Sequence, residues 1–272
     1  MNPKKIIAII SLLSLLFACG SDKMSNININ EIERAIEKID NKTIFFGHQS
    51  VGANILQGIK YFTAETEKQF SILSLKKDID YNNANIIDTY IGENTYPQKK
   101  IDDFAKIIRS KLAGKVDIAF MKFCYVDSGH DMSAAEIFSK YIGEMEKLEK
   151  EFPQVTFVYV TMPLTGLPNN IIVWAKNAVK MVLGRQITGR KDNIERNIFN
   201  KKLREAKANT NLLFDLAKIE STLPNGKKET FVSSGNTYNV MAPIYTDDGG
   251  HLNKVGRKHV AKELLLFLAN IN

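Results

Sequence analysis

From Glu31 onward the apolar positions follow two different spacings. Stretches such as Glu31–Ile39 (EIERAIEKI) repeat every three or four residues and predict amphipathic helices, while short unbroken apolar runs predict buried strands. Strands are expected at 43–46, 71–75, 117–123, 155–160 and 212–215. Helices are expected at 31–39, 51–68, 101–112, from Ser133 to about 150, from Asp192 to about 208, and at 255–269. Ser133 with Glu136, and Asp192 with Glu195, have the spacing of capping boxes, in which a short polar side chain and a glutamate satisfy each other's free amides. Strands and helices that alternate, with strands apolar throughout, predict a parallel sheet covered on both faces. The expected fold is therefore α/β, a three-layer sandwich with a five-stranded parallel sheet over residues 31–272. Ligands bind such sheets beyond the carboxyl ends of the strands.

The first thirty residues follow neither pattern. Lys4 and Lys5 precede a stretch from Ile6 to Phe17 that is apolar apart from Ser11 and Ser14, then Ala18-Cys19-Gly20. A dozen apolar residues is short of the roughly 20 that span a bilayer, so residues 1–18 read as a signal peptide. Leu16-Phe17-Ala18-Cys19 resembles the lipobox of bacterial lipoproteins. That resemblance implies lipidation of Cys19, export to the cell envelope and attachment to a membrane, the outer membrane or surface where there are two. Gly20 to Asn30 is polar and aperiodic, as expected of a flexible tether.

The 272 residues are 44% hydrophobic and 25% charged, which excludes a disordered or collagen-like chain. Only two cysteines are present, so a disulfide scaffold is excluded as well; Cys124 reads as a small buried residue. The net charge of +7 comes from 37 basic and 30 acidic residues; loss of Lys4 and Lys5 with the leader leaves 35 against 30, or +5. From Phe152 through Lys191 there is no acid at all, but there are Lys176, Lys180, Arg185, Arg190 and Lys191. The segment 163–191 is long for a strand–helix connection. It reads either as a solvated inserted helix or as a lid that favours anionic substrates, with Arg185 and Arg190 among its contacts. No nucleic-acid motif is present, and the chain does not indicate an oligomeric state.

Two loops at expected strand ends or helix starts carry nucleophilic and basic groups. Gly47-His48-Gln49-Ser50-Val51-Gly52 places a serine between glycines at a strand-to-helix turn, where it is either an exposed nucleophile or a helix cap. Tyr245-Thr-Asp-Asp248-Gly-Gly-His251 precedes the last helix, and its glycines allow Asp248 to fold onto His251. Together these loops supply a nucleophile, a base and an orienting carboxylate in the order Ser50, Asp248, His251.

On these residues the chain resembles the SGNH (GDSL-type) hydrolase superfamily, esterases on a flavodoxin-like sheet. The resemblance implies Ser50 as nucleophile, His251 as base and Asp248 as its partner. It further implies an oxyanion hole from the backbone of Ser50 and of Gly92, in Ile91-Gly92-Glu93-Asn94. Two blocks depart from the family pattern. Its Gly-Asp-Ser reads His48-Gln49-Ser50, and its Gly-x-Asn-Asp reads Cys124-Tyr125-Val126-Asp127, with Val126 in place of an oxyanion-binding asparagine; Asn94 is the candidate substitute. His48, Gln49, Asp127 and His130 are candidate substrate contacts. Lys122, inside an apolar strand, either pairs with a carboxylate such as Asp127 or faces the site. No metal is expected, because the spacings of His48, Asp127 and His251 match no ligand signature, and no organic cofactor is implied. The expected function is a lipid-anchored serine esterase acting on an acylated carbohydrate, envelope polymer or lipid. The alternative is a non-catalytic ligand-binding lipoprotein on the same fold.

Overall fold

The computed structural model describes residues 27–66, 68–76, 81, 84–129, 132–167 and 189–271. In chain order these form α1 (Ile29–Ile39), β1 (Ile44–His48), α2 (Ser50–Glu65), β2 (Ile72–Ser74), β3 (Ile86–Tyr90) and α3 (Pro97–Ile107). They continue with β4 (Ile118–Met121), α4 (Ala134–Glu151), β5 (Thr156–Val160), α5 (Arg190–Ala206), β6 (Leu213–Phe214) and α6 (Leu216–Ser221). The chain closes with a hairpin, β7 (Thr230–Ser233) and β8 (Asn236–Asn239), and then α7 (Lys254–Leu268).

The main sheet has six strands in the order β2-β3-β1-β4-β5-β6, every pair parallel. Without the edge strand β2, the order is that of flavodoxin-like sheets. The five-strand expectation is corrected by β3. Only Ile86 and Ile87 begin it as an apolar run; Asp88, Thr89 and Tyr90 hide it in the sequence, and its pairing with β1 and β2 defines it.

Alternate residues of each strand feed two cores. Ile44, Phe46, Ile118, Phe120 and Val158 pack under α1, α2 and α7. Phe45, Ala119, Met121, Phe157 and Tyr159 pack under α3, α4 and α5. This two-faced burial is why the strands read as continuous apolar runs.

The Ser133–Glu136 capping box forms, with reciprocal bonds at the start of α4. The Asp192–Glu195 box does not. Helix α5 begins earlier, at Arg190 after Gly189 in the left-handed conformation, and Glu195 instead accepts the N–H of Ala134 across the interface, helping to cap α4. α2 and α7 lie side by side in the same direction. Gly58 makes this possible: a Cβ there would stand 2.2 Å from the carbonyl oxygen of Arg257. The pairing brings the N-termini of the two helices together at the carboxyl end of the sheet.

Candidate active site

Ser50 is the first residue of α2, immediately after the turn that ends β1. The N–H groups of Gly52 and Ala53 turn back onto the carbonyl of Gln49. The amides of Ser50 and Val51 sit at the open end of the helix, where its dipole favours negative charge. His251 lies just ahead of α7, whose cap, Asn253, accepts the Gly256 N–H. The Leu252 N–H bonds Asn54 Oδ1 at 3.2 Å, pinning this loop onto α2.

The two loops, 201 residues apart in sequence, meet at His251 Nε2 and Ser50 Oγ, 3.2 Å apart. On the other side of the ring, His251 Nδ1 is 2.7 Å from Asp248 Oδ2. Asp248 Oδ1 accepts the N–H groups of Gly250 (2.8 Å) and His251 (2.7 Å) and the Thr246 hydroxyl. Partial burial pushes this carboxyl up, but the two backbone donors and the imidazole outweigh it and hold the group well below the usual carboxylate range. Asp248 is thus a fixed anion that keeps the Nδ1 proton in place and leaves Nε2 facing the hydroxyl as acceptor. Serine, histidine and carboxylate are in hydrogen-bonded sequence, the arrangement that a nucleophile, base and orienter require. The His251 side chain is 40% exposed, so the relay is open to solvent. A cavity of about 510 Å³ lined by Phe214, Leu223, Tyr245, His259 and Phe267 includes none of these three residues.

The other expected contacts are placed differently. His48 is buried, with Nδ1 against the Gln49 carbonyl and Nε2 against Asp88 Oδ2, so it holds the nucleophile turn and does not face a substrate. Gln49 donates through Nε2 to the carbonyls of Ile91 (2.8 Å) and Gly92 (3.2 Å), tying the serine turn to the loop after β3. Asp127 is fully buried. Both its oxygens accept from Lys100 Nζ, at 2.7 and 2.6 Å, and it also takes the N–H groups of Thr95 and Cys124. It is the anchor between the β3 and β4 loops, and no lone pair is left facing a substrate.

Arg190 stacks on Phe231 of the hairpin, 5.1 Å from its ring centre, and reaches the Val232 carbonyl. His130, Arg185 and Cys19 lie outside the described residues, as does most of the 163–191 segment.

The oxyanion donors also need correction. The Gly92 N–H is bonded to Asp103 Oδ2 at 2.8 Å, so this amide is already used. Asn94 is exposed, and its Oδ1 accepts from Lys100 Nζ at 3.0 Å.

Lys122 takes neither expected position. Its ammonium bonds the Phe123 carbonyl at 2.8 Å, and burial pushes it down to about 8. Opposite in sign is Glu220, which burial pushes up to about 8; one oxygen accepts the Leu164 N–H and the other has no partner among the described residues. Cys124 is a free, buried cysteine. Lys100, Arg196 and Glu220 give no sequence signal, since each sits on a helix among other charges.

Neither a protein-family model nor a curated protein matches the sequence. Among solved structures the chain is similar to a protein from Streptococcus pneumonia described as a platelet activating factor. They are 15% identical over 98% of this chain and 100% of that one, with a TM-score of 0.48. It is also similar to a protein from Desulfitobacterium hafniense DCB-2 assigned to the G-D-S-L lipolytic family (9% identity, 84% and 99% coverage, TM-score 0.45). A third is the periplasmic domain of a lipopolysaccharide acetyltransferase from Salmonella ser. Paratyphi A (12%, 87% and 95%, TM-score 0.43). The chemistry rests on the geometry of Ser50, His251 and Asp248.

Proposed function

We propose that this protein is an SGNH-type serine hydrolase of ester bonds. One observation carries the reading: the Ser50–His251–Asp248 relay assembled from the two ends of the chain at the carboxyl edge of the sheet. In the proposed reaction Ser50 Oγ attacks the ester carbonyl carbon while its proton passes to His251 Nε2. The ester oxygen that carries the developing charge is held by the Ser50 N–H, the α2 dipole and the Asn94 amide nitrogen. Collapse of the tetrahedral adduct breaks the C–O bond, and His251 returns the proton to the departing alkoxide. Water, deprotonated by His251, then attacks the acyl-enzyme, and the carboxylic acid leaves with Ser50 restored. Asp248 stays ionised and stabilises each imidazolium.

The lipobox-like Ala18-Cys19 supports placement of this activity at a membrane of the cell envelope, on an acylated carbohydrate, envelope polymer or lipid. No helix among the described residues is long and apolar enough to cross a membrane, so attachment would fall to Cys19. The occupied Gly92 amide and Val126 favour a second reading, a non-catalytic ligand-binding lipoprotein.

One experiment separates them. Full-length protein in detergent and its Ser50→Ala variant are compared on p-nitrophenyl acetate and with a fluorophosphonate probe. Turnover and labelling that vanish in the variant support the hydrolase; a folded wild type with neither supports the binding protein.

A further inference from the structure

Arg196, in the middle of α5, is 3% exposed, and no carboxylate among the described residues lies within ion-pair distance of it. An ionised side chain taken out of water without a counter-ion is costly. Burial accordingly pushes this guanidinium down to about 10. Its donors go to the backbone and side chains of two loops. Nε bonds the Tyr125 carbonyl at 2.7 Å. Nη1 bonds Thr165 Oγ1 at 3.0 Å and Asn193 Oδ1 at 2.7 Å. Asn193 in turn brackets Thr165, accepting its N–H and donating to its carbonyl.

Both loops end against the loop that carries His251. The Tyr125 ring stands edge-on to the imidazole, centres 5.6 Å apart and planes at 82°. It also lies so close to Gly250 that a Cβ there would be 2.7 Å from Tyr125 Cζ. From the second loop, the Gly166 N–H bonds the Gly249 carbonyl at 2.8 Å.

We infer that Arg196 and Tyr125 are positioning residues for His251. Arg196 locks the Tyr125 and Thr165–Gly166 loops, and these hold the Asp248–His251 loop from two sides. The need is geometric: a displacement of about 1 Å between nucleophile and base costs on the order of a hundredfold in rate. Asp248 fixes the ring through Nδ1 alone, which leaves its tilt to be set by packing.

This inference rests on the triad reading, and the test keeps the two apart. In the full-length protein, Tyr125→Phe, Tyr125→Leu and Arg196→Lys are compared for kcat and KM on p-nitrophenyl acetate. The order of the His251 ring is read separately from the NMR line widths of its ¹⁵N-labelled imidazole. Tyr125→Phe keeps the ring and is expected to stay within about threefold of wild type.

Tyr125→Leu is expected to lower kcat by about ten- to a hundredfold with KM little changed. It should also broaden the ¹⁵N signals of the His251 imidazole, as expected of a ring no longer held in one orientation. Arg196→Lys keeps the charge but not the fork, and is expected to lower kcat with an unchanged KM. Should Arg196→Lys not fold, the half-buried Tyr125 variants decide alone. Tyr125→Leu with unchanged kcat and unbroadened His251 signals overturns the inference. If wild type shows no Ser50-dependent turnover but the His251 signals still broaden in Tyr125→Leu, the hydrolase reading fails and the support of His251 by Tyr125 stands.

Discussion

Replacing Asp248 by asparagine is the most direct test of the relay, and its effect follows from the bonds already described. The Asn oxygen still accepts the Gly250 and His251 amides, so the loop keeps its shape. The other arm becomes an NH₂ donor 2.7 Å from His251 Nδ1. Two donors cannot face each other, so Nδ1 must become the acceptor and the ring proton moves to Nε2. There it points at Ser50 Oγ, 3.2 Å away, and the base is lost. The anion that stabilised the imidazolium is lost as well.

Tautomer reversal and charge loss together have cost about 10⁴ in kcat in comparable triads, equivalent to about 5 kcal/mol of barrier. The assay is kcat on p-nitrophenyl acetate and the rate of fluorophosphonate labelling, with circular dichroism to verify the fold. Asp248→Asn is expected to lose three to four decades in both, with part of the loss recovered at high pH where hydroxide replaces the base. A folded variant that labels within tenfold of wild type, while Ser50→Ala does not label, would refute this account of Asp248.

The buried Lys100–Asp127 pair predicts a strong asymmetry in urea melts. Asp127→Asn alone should cost about 3–5 kcal/mol by leaving an unpaired ammonium, whereas Lys100→Met with Asp127→Asn should recover much of it, since the Asn oxygen still accepts a backbone N–H; additive losses would count against the pairing. Gly52→Ala gains up to about 1 kcal/mol of helix propensity, but its Cβ would lie 2.3 Å from His48 Cβ. The clash should dominate, lowering stability by about 1–3 kcal/mol and slowing Ser50 labelling; a more stable, equally reactive variant would contradict the packing. Glu220, raised from an ordinary 4.5 to about 8, binds its proton more tightly in the folded state. Wild-type stability should therefore fall as pH rises between those values. Glu220→Gln removes that dependence, so its Tm advantage should be larger at pH 8.5 than at pH 5, and an equal difference at both would show that Glu220 is not protonated in the fold.

The site was legible where its chemistry is local. Asp248 and His251 are three residues apart in one loop, and their mutual bonds need only the glycines between them. Ser50 stood out because a turn between strand and helix has few reasons to place a hydroxyl between glycines. Roles that depend on distant partners have no such local signal. His48 is held by Asp88, forty residues on, and Glu195 caps a helix other than its own.

The sequence by itself determined the layers of this protein, because a residue's preference for water is its own and the spacing of apolar positions repeats that preference along each element. The residue types of the proposed triad, Ser50, His251 and Asp248, are likewise local to two loops. Only the tertiary structure decided which charges are buried. Lys100, Asp127, Lys122, Arg196 and Glu220 carry the same letters as solvated residues, and burial depends on what packs over them. It likewise decided β3, a half-polar segment made a strand by neighbours on both sides, and the use of the Gly92 amide, which Asp103 on the next helix takes up. These are pairings between remote residues, and no local pattern encodes a partner that lies elsewhere in the chain.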